Sequence, residues 1–433
     1  MRALLLGFAA LIAAPATAQT VAITGGTVAI GDGSAPIEGG TVVFRDGRIV
    51  AAGRGVAVPP GAEVIDARGK WVAAGIVSGM AQLGLLDIPL GGDSSSDVSA
   101  SGSPFAAAID IAPAINANNF VMGNERAGGV TRSIVAPGAA GSIFAGQGAV
   151  VDLGEDADAV TRPRAFQFVE LGEEGSRRAG GSRPAAYALL RDALAQAQDY
   201  RRSPAGFDGR SRDSLIKRSD AQALLRVLDG STPLVVHVER ASDIRTVLGL
   251  PSEFPGLKLV LLGAAEGWTV AREIAAARVP VIAAALVDLP ASFEMIAATE
   301  SNVGRLRQAG VTVGLATINA NDGPGEHILS QYAGNLVGIG KVPGKVGLSW
   351  GEAFATITSA PAEALGMGAE IGSLRSGRRA DVVIWDGDPL ELASRPQAVW
   401  IDGRPQSVRS RQVRLRDRYR TPQEGALPKA YER

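Results

Sequence analysis

The chain has 433 residues, of which 46% are hydrophobic and 20% charged, and its formal net charge is −1. This composition excludes a mainly disordered chain. The near-zero net charge provides no global field for nucleic acid or anionic lipid, and we expect no nucleic-acid partner. Cysteine is absent, which excludes disulfides and a lipid-modified cysteine.

The first eighteen residues have the pattern of a cleaved secretory signal peptide. Arg2 supplies a positive start, residues 4–14 form a short apolar core, and Ala16-Thr17-Ala18 is a small-residue cleavage site. No later apolar run reaches the roughly 18 residues that a membrane span needs. We therefore expect an exported protein, most simply a periplasmic one, with no membrane span.

Residues 19–73 predict short β-strands separated by tight turns. Asp32-Gly33 and Asp46-Gly47 are hairpin dipeptides between apolar runs. Such a unit cannot cover its own strands, so it needs a partner. The other strand-rich stretch is residues 371–420, followed by a tail at 421–433. We expect the two stretches to form one small composite β-sandwich.

Residues 74–370 predict a barrel of alternating strands and helices. The apolar run 72–77 leads into Ser78, Met80 and Gln82, which suits a strand that is buried on both faces. Strand and helix patterns then alternate up to a helix at 349–365, which Ser349 and Glu352 open with capping-box spacing. Repeated strand–helix units predict a parallel sheet that closes into a (β/α)8 TIM-like barrel.

Two separated motifs resemble the metal-dependent amidohydrolase superfamily. Residues 372–389 read GSLRSGRRADVVIWDGDP, which is similar to the family's C-terminal G-S-L-x-x-G-x-x-A-D-x-V segment. Near the other end, Gly25-Gly26-Thr27-Val28 and Asp46-Gly47-Arg48-Ile49 match its N-terminal pattern. Residues 257–282 look like the imidazolonepropionase-like branch. The resemblance implies the barrel with the composite sandwich, and hydrolysis of carbon–nitrogen bonds other than peptide bonds.

The metal ligands that the resemblance implies do not carry over. In the family the first barrel strand ends in His-x-His, and here those positions hold Met80 and Gln82. Of the remaining positions, strand five keeps His237, strand six has Gly263, and strand eight has Ile318 where aspartate is usual. Four of the five positions considered are therefore degenerate.

The histidine count leads to the same expectation. A binuclear site of this family uses four histidines, and this chain has two histidines and no cysteine. We expect no metal cofactor, or at most one divalent ion such as zinc, for which His237, His327 and Asp322 form a weak alternative ligand set. Without metal, His237 and Asp322 are the candidate catalytic residues.

The candidate residues also have ordinary structural interpretations. His237 is either a general base at the barrel mouth or a buried remnant that is hydrogen-bonded to neighbours such as Glu239. Glu170 either replaces a bridging carboxylate or pairs with an arginine. Two functions follow: a hydrolase with a degenerate metal site that acts on a small molecule, or a non-catalytic pseudoenzyme that binds a ligand or partner at the barrel mouth. The sequence specifies neither the substrate nor the oligomeric state.

Overall fold

A computed structural model describes residues 20–86, 96–207, 214–317 and 325–420. The predicted signal peptide and the tail at 421–433 lie outside these residues. Within the described ranges, no helix is long and apolar enough to cross a membrane.

Strands from both ends of the chain form one eight-stranded sheet. Its order is β16-β15-β14-β5-β1-β2-β3, and β4 pairs with β1. The strand β5 from the N-terminal part and β14 from the C-terminal part run antiparallel, with Val72 opposite Ile384. The two ends therefore complete each other, while the two-layer arrangement of a sandwich stays a prediction. The strands of this sheet are β1 (Thr20–Ala29), β2 (Ile37–Arg45), β3 (Arg48–Gly53), β4 (Glu63–Asp66), β5 (Trp71–Ala74), β14 (Val382–Trp385), β15 (Pro396–Ile401) and β16 (Arg404–Gln406).

The middle of the chain forms a closed eight-stranded barrel, in the order β10-β11-β12-β13-β6-β7-β8-β9. Every residue of β6, β7 and β8 is buried, as expected for strands covered on both faces. The barrel strands are β6 (Ile76–Ala81), β7 (Val130–Val135), β8 (Phe144–Asp152), β9 (Val160–Glu170), β10 (Leu234–Val238), β11 (Leu259–Gly263), β12 (Val281–Ala284) and β13 (Val313–Ala316).

One barrel strand corrects the predicted (β/α)8 pattern. The strand β8 runs antiparallel to both β7 and β9, and no helix separates these three strands. The sequence pattern did not reveal β8, because Gly146 and Gly148 interrupt its apolar alternation. Gly148 is required by packing, since a Cβ there would lie 2.0 Å from the ring of Phe166.

The helices pack outside the barrel, and several differ from their predicted extents. The capping box of Ser349 and Glu352 is present, but the predicted helix at 349–365 is two helices, α10 and α11. The end of the predicted strand-rich stretch 371–420 contains helix α12 instead of a strand. The helices are α1 (Phe120–Ala127), α2 (Gly172–Arg178), α3 (Arg183–Arg202), α4 (Arg218–Leu228), α5 (Ala241–Leu248), α6 (Leu250–Glu253), α7 (Ala271–Ala277), α8 (Asn302–Gln308), α9 (Leu329–Ile339), α10 (Trp350–Thr356), α11 (Ser359–Ala364) and α12 (Arg411–Tyr419).

The barrel interior is filled by apolar side chains. They form a cluster that includes residues from all eight strands, and its large members are Met80, Ile134, Phe166, Phe168, Val235, Leu262 and Ile282. A barrel packed in this way is a core rather than a pore, so a ligand can meet the protein only at the mouth, where the parallel strands end.

A buried arginine joins the barrel to the terminal sheet. Arg132 on β7 is fully buried and makes a bidentate contact with Asp381, with Nε–Oδ2 and Nη2–Oδ1 distances of 2.8 and 3.0 Å. It also lies 2.6 Å from Asp402 and 3.6 Å from Asp152. Asp381 belongs to the A-D pair of the C-terminal motif, so this motif provides the carboxylate that pairs with Arg132 of the barrel.

Candidate functional site

At the barrel mouth, an imidazole lies between two carboxylates. His237, the fourth residue of β10, has Nδ1 2.6 Å from Oε1 of Glu170, at the end of β9. Its Nε2 lies 3.0 Å from Oε1 of Glu239, just after β10. Because β9 and β10 are parallel neighbours, with His237 in register with Glu170, their carboxyl ends bring the three side chains together. The hydrogen bond to Glu239 was predicted, whereas the contact with Glu170 was not.

The two carboxylates determine the protonation of His237. Burial alone would lower the pKa of this imidazole, but the charges of Glu170 and Glu239 and their hydrogen bonds outweigh burial and raise the pKa well above 6.5. Both ring nitrogens therefore carry a proton at neutral pH and donate to the two carboxylates. The side chain remains 18% exposed, so it is accessible from the mouth. A histidine held in its charged form is suited to donate a proton rather than to accept one.

Glu239 occupies the space next to the degenerate position on strand six. Gly263 has φ +84°, and a Cβ there would lie 2.5 Å from Oε1 of Glu239. The other oxygen of Glu239 accepts a hydrogen bond from the backbone N–H of Ala265 at 2.7 Å. Ala264 also has a left-handed φ, 51°, which costs about 1–3 kcal/mol and is found mostly at functional sites. A histidine at position 263 would displace this carboxylate.

We predict that Gly263→Ala loosens the site and lowers stability by about 1–3 kcal/mol, because alanine disfavours the positive φ and its Cβ displaces Glu239. Chemical unfolding of both proteins measures the loss. Gly338→Ala in helix α9 is the matched control, since no atom lies within 4 Å of its Cβ. A Gly263→Ala protein as stable as wild type would contradict the close contact.

The two His-x-His positions, Met80 in β6 and Gln82 just after it, do not converge on a site. Met80 is buried in the apolar cluster of the barrel interior and has a left-handed φ of 54°, whereas Gln82 is exposed. The thioether of Met80 is a soft ligand, which binds hard divalent ions only weakly. Within the described ranges, no group of three or more histidine or acidic side chains is arranged to hold a metal ion. The described residues do not fit the binuclear metal centre of the family.

The remaining candidates lie near the end of β13. Ile318 and Asp322 lie outside the described residues. His327 is 54% exposed, and its Nδ1 lies 2.9 Å from Oε2 of Glu125. This hydrogen bond raises the pKa of His327. The two histidines thus have different carboxylate partners, and the set of His237, His327 and Asp322 stays a prediction.

Next to His327, Glu326 is a buried carboxyl group with an unusual pKa. Burial and, after it, the charge of Glu125 raise the pKa of Glu326 to about 8. Its Oε1 accepts a hydrogen bond from Thr317 at 3.0 Å, while its Oε2 has no hydrogen-bond partner among the described residues. Glu326 is therefore mainly neutral at pH 7.

We predict that Glu326→Gln stabilises the protein at neutral and alkaline pH. The pKa of Glu326 is higher in the folded state than the usual 4.5, so the folded state binds more protons and wild-type stability falls between about pH 4.5 and pH 8. Glutamine carries no such proton, and we expect a gain on the order of 2 kcal/mol at pH 8. Urea unfolding across this pH range measures it; equal pH slopes in both proteins would contradict the prediction.

Comparison with known proteins shows similarity of this chain to amidohydrolases. The model of the amidohydrolase family matches residues 262–406. Amidohydrolase tasK from Hapsidospora irregularis is 25% identical over 417 residues, covering 86% of this chain and 40% of that protein. An imidazolonepropionase from Maricaulis maris is 31% identical over 217 residues, covering 50% of this chain and 48% of the relative. The crystal structure of an amidohydrolase from Thermotoga maritima aligns with a TM-score of 0.77 and 23% identity, covering 89% of this chain and 99% of that one.

These matches support the amidohydrolase superfamily for this chain. Its similarity to imidazolonepropionases agrees with the predicted branch, and the structural likeness supports the barrel fold. The chain spans about two fifths and about half of the first two relatives. These amidohydrolase relatives are hydrolases, which does not favour the non-catalytic alternative.

Sequence reasoning missed the role of two residues in this site. Glu170 was expected to bridge metals or to pair with an arginine, and it pairs with His237 instead. Glu239 was expected as a hydrogen-bond neighbour of His237, but its position next to Gly263 was not expected. The available signal was the placement of Glu170 at the end of the strand before His237, since adjacent parallel strands align their ends.

Proposed function

We propose that the chain is a hydrolase that acts on a carbon–nitrogen bond, other than a peptide bond, in a small molecule at the barrel mouth. The observation that carries the proposal is the imidazolium of His237 held between Glu170 and Glu239. It lies where barrel enzymes carry out their chemistry, at the carboxyl ends of the strands. The amidohydrolase and imidazolonepropionase relatives support the reaction class.

The three side chains have distinct roles in this proposal. Glu170, whose side chain is more exposed than that of Glu239 (11% against 2%), accepts a proton from water as the water oxygen bonds to the carbonyl carbon. His237 donates its proton to the nitrogen as the carbon–nitrogen bond breaks. The proton on Glu170 then returns to His237, so that one water and one amide give one acid and one amine. Glu239 positions the imidazole.

A metal ion has no step in this mechanism. The family is typically metal-dependent, and we propose that this chain holds at most one zinc ion, since the described residues do not fit a binuclear centre. Asp322, outside the described residues, stays a proposed further catalytic residue. We also propose export of the chain after cleavage behind Ala18, which mass spectrometry of the exported protein would test.

The experiment is a hydrolysis screen with purified mature protein. The panel contains small cyclic amides, including imidazolones, small linear amides and N-acyl amino acids, and it is assayed with and without a chelator. We expect turnover of at least one class that survives chelation and is lost in Glu170→Gln. If no class is turned over with or without added zinc, and the mouth still binds a panel compound, the non-catalytic alternative replaces this proposal.

A further inference from the structure

A strongly basic segment lies near the C-terminus of the described chain. Residues 409–420 contain six arginines and one aspartate, a net charge of +5, whereas the whole chain carries −1. All other residues therefore sum to −6. The net charge of the whole chain is near zero because this positive segment offsets the negative charge of the other residues. The catalytic proposal does not use this segment.

Helix α12, within this segment, presents arginines and apolar side chains to solvent. No residue of the helix is buried, and Val413 is its one partly buried residue. Leu415 lies about 200° around the helix from Val413 and is 37% exposed, while Tyr419, one turn further on, is 65% exposed. The outward face therefore carries two apolar side chains.

Three arginines flank these apolar side chains. Arg411, Arg414 and Arg418 have helical spacing that places them on the same side of α12 as Leu415. Asp417 pairs with Arg409 and Arg416. Within the described part of the chain, no carboxylate forms an ion pair with Arg411, Arg414 or Arg418. Their charges are available to a partner.

Helix α12 is anchored on the body of the protein through its first residue. The backbone N–H of Arg411 donates to the side chain of Asn124 in α1 at 2.9 Å, and its guanidinium lies 4.8 Å from the centre of the Phe120 ring. These contacts with α1 hold the basic helix at one place on the protein surface.

We propose that α12 binds an anionic lipid surface, with Arg411, Arg414 and Arg418 at the phosphate groups and Leu415 and Tyr419 in the interfacial layer. Basic helices with exposed apolar residues bind membrane surfaces in this way. A nucleic acid would use the arginines alone and gains nothing from an exposed leucine, so the pairing of charge with apolar exposure favours lipid. The protein would be a peripheral one, held with its barrel beside the membrane.

Sedimentation of full-length mature protein with vesicles tests the proposal. The vesicles are phosphatidylcholine alone, or phosphatidylcholine with one third phosphatidylglycerol, each at low and high salt. We expect binding to the anionic vesicles that weakens with salt, because exposed charges are screened. Replacing all three arginines (R411Q, R414Q, R418Q) should weaken binding on the order of 100-fold, from the contribution of each basic residue near an anionic surface.

Matched variants distinguish vesicle binding through helix α12 from vesicle binding through the total charge of the protein. R191Q, R202Q and R245Q together remove the same charge from exposed arginines elsewhere, and this control should bind vesicles like wild type. L415Q with Y419Q should weaken vesicle binding while the arginines remain. All variants should remain folded, since none of the altered side chains lies in the core and each exposed ion pair that is lost contributes less than about 1 kcal/mol.

Three outcomes would overturn the proposal. The first is that wild type does not bind anionic vesicles, and the second is that the control arginine variant loses as much vesicle binding as the R411Q, R414Q, R418Q variant. The third is that wild type binds a DNA duplex tightly and the L415Q, Y419Q variant keeps both its duplex binding and its vesicle binding.

Discussion

Replacing His237 by glutamine is expected to lower kcat/KM by about 100- to 10,000-fold, the range attributed to a positioned proton donor. Glutamine keeps a hydrogen-bond donor between Glu170 and Glu239, but it cannot release a proton to a leaving nitrogen. The assay uses the amide that wild type hydrolyses fastest. His327→Gln is the matched control, because the chain has two histidines and the second contacts Glu125 instead; its kcat/KM should equal that of wild type.

The pH profile distinguishes proton donation from a structural role of His237. The raised pKa keeps the imidazole charged at neutral pH, so kcat/KM should fall only when the pH rises through this raised pKa. Glu239→Gln removes one of the charges that raise it, and the alkaline limb of the profile should move to lower pH. A profile unchanged in Glu239→Gln, or full activity in His237→Gln, would contradict the assigned role.

Replacing Arg132 by methionine is expected to destabilise the protein by about 3–5 kcal/mol, as for other buried ion groups that lose one member. The variant leaves Asp381 and Asp152 buried opposite an apolar side chain. Burial already raises the pKa of Asp152 to about 6 in the presence of the arginine. Denaturant unfolding, followed separately by barrel and sheet probes, measures the loss.

An exposed pair provides the control for Arg132. Arg191 and Glu253 form a bidentate contact, with N–O distances of 2.7 and 2.9 Å, and both side chains are well exposed. Arg191→Met should therefore cost less than about 1 kcal/mol. Equal losses in the two variants would mean that the Arg132 cluster does not join the barrel to the terminal sheet.

The sequence predicted the fold well where apolar patterns and motifs are local. The alternating strand and helix patterns predicted buried parallel strands, and the two terminal motifs predicted the joined sheet. The run 72–77, predicted as one strand, is instead divided between β5 of the terminal sheet and β6 of the barrel. The strand β8 was missed because its packing uses glycines: the ring of Phe166 covers Gly148, and no periodic signal remains in the strand. The partners of Arg132 were missed because 249 residues separate it from Asp381.

The sequence predicted where the site lies better than it predicted the charge state and contacts of the site residues. Met80, Gln82 and Gly263 stand where the resemblance places metal ligands, and the loss of those ligands stays a prediction; His237 lies at the end of its strand. The charge state of His237 depends on Glu170, which only the register of β9 and β10 places beside it. The position of Glu239 depends on the left-handed backbone at Gly263, which residue types alone do not reveal.

Elemental analysis of purified, active mature protein tests the central claim most directly, with hydrolysis measured on the same sample before and after chelation. We predict at most one metal ion per chain and hydrolysis that persists when this ion is removed, because the carboxylates and imidazolium of Glu170, His237 and Glu239 carry the proton transfers. Two tightly held ions per chain, with activity lost on their removal and regained on their return, would contradict the account.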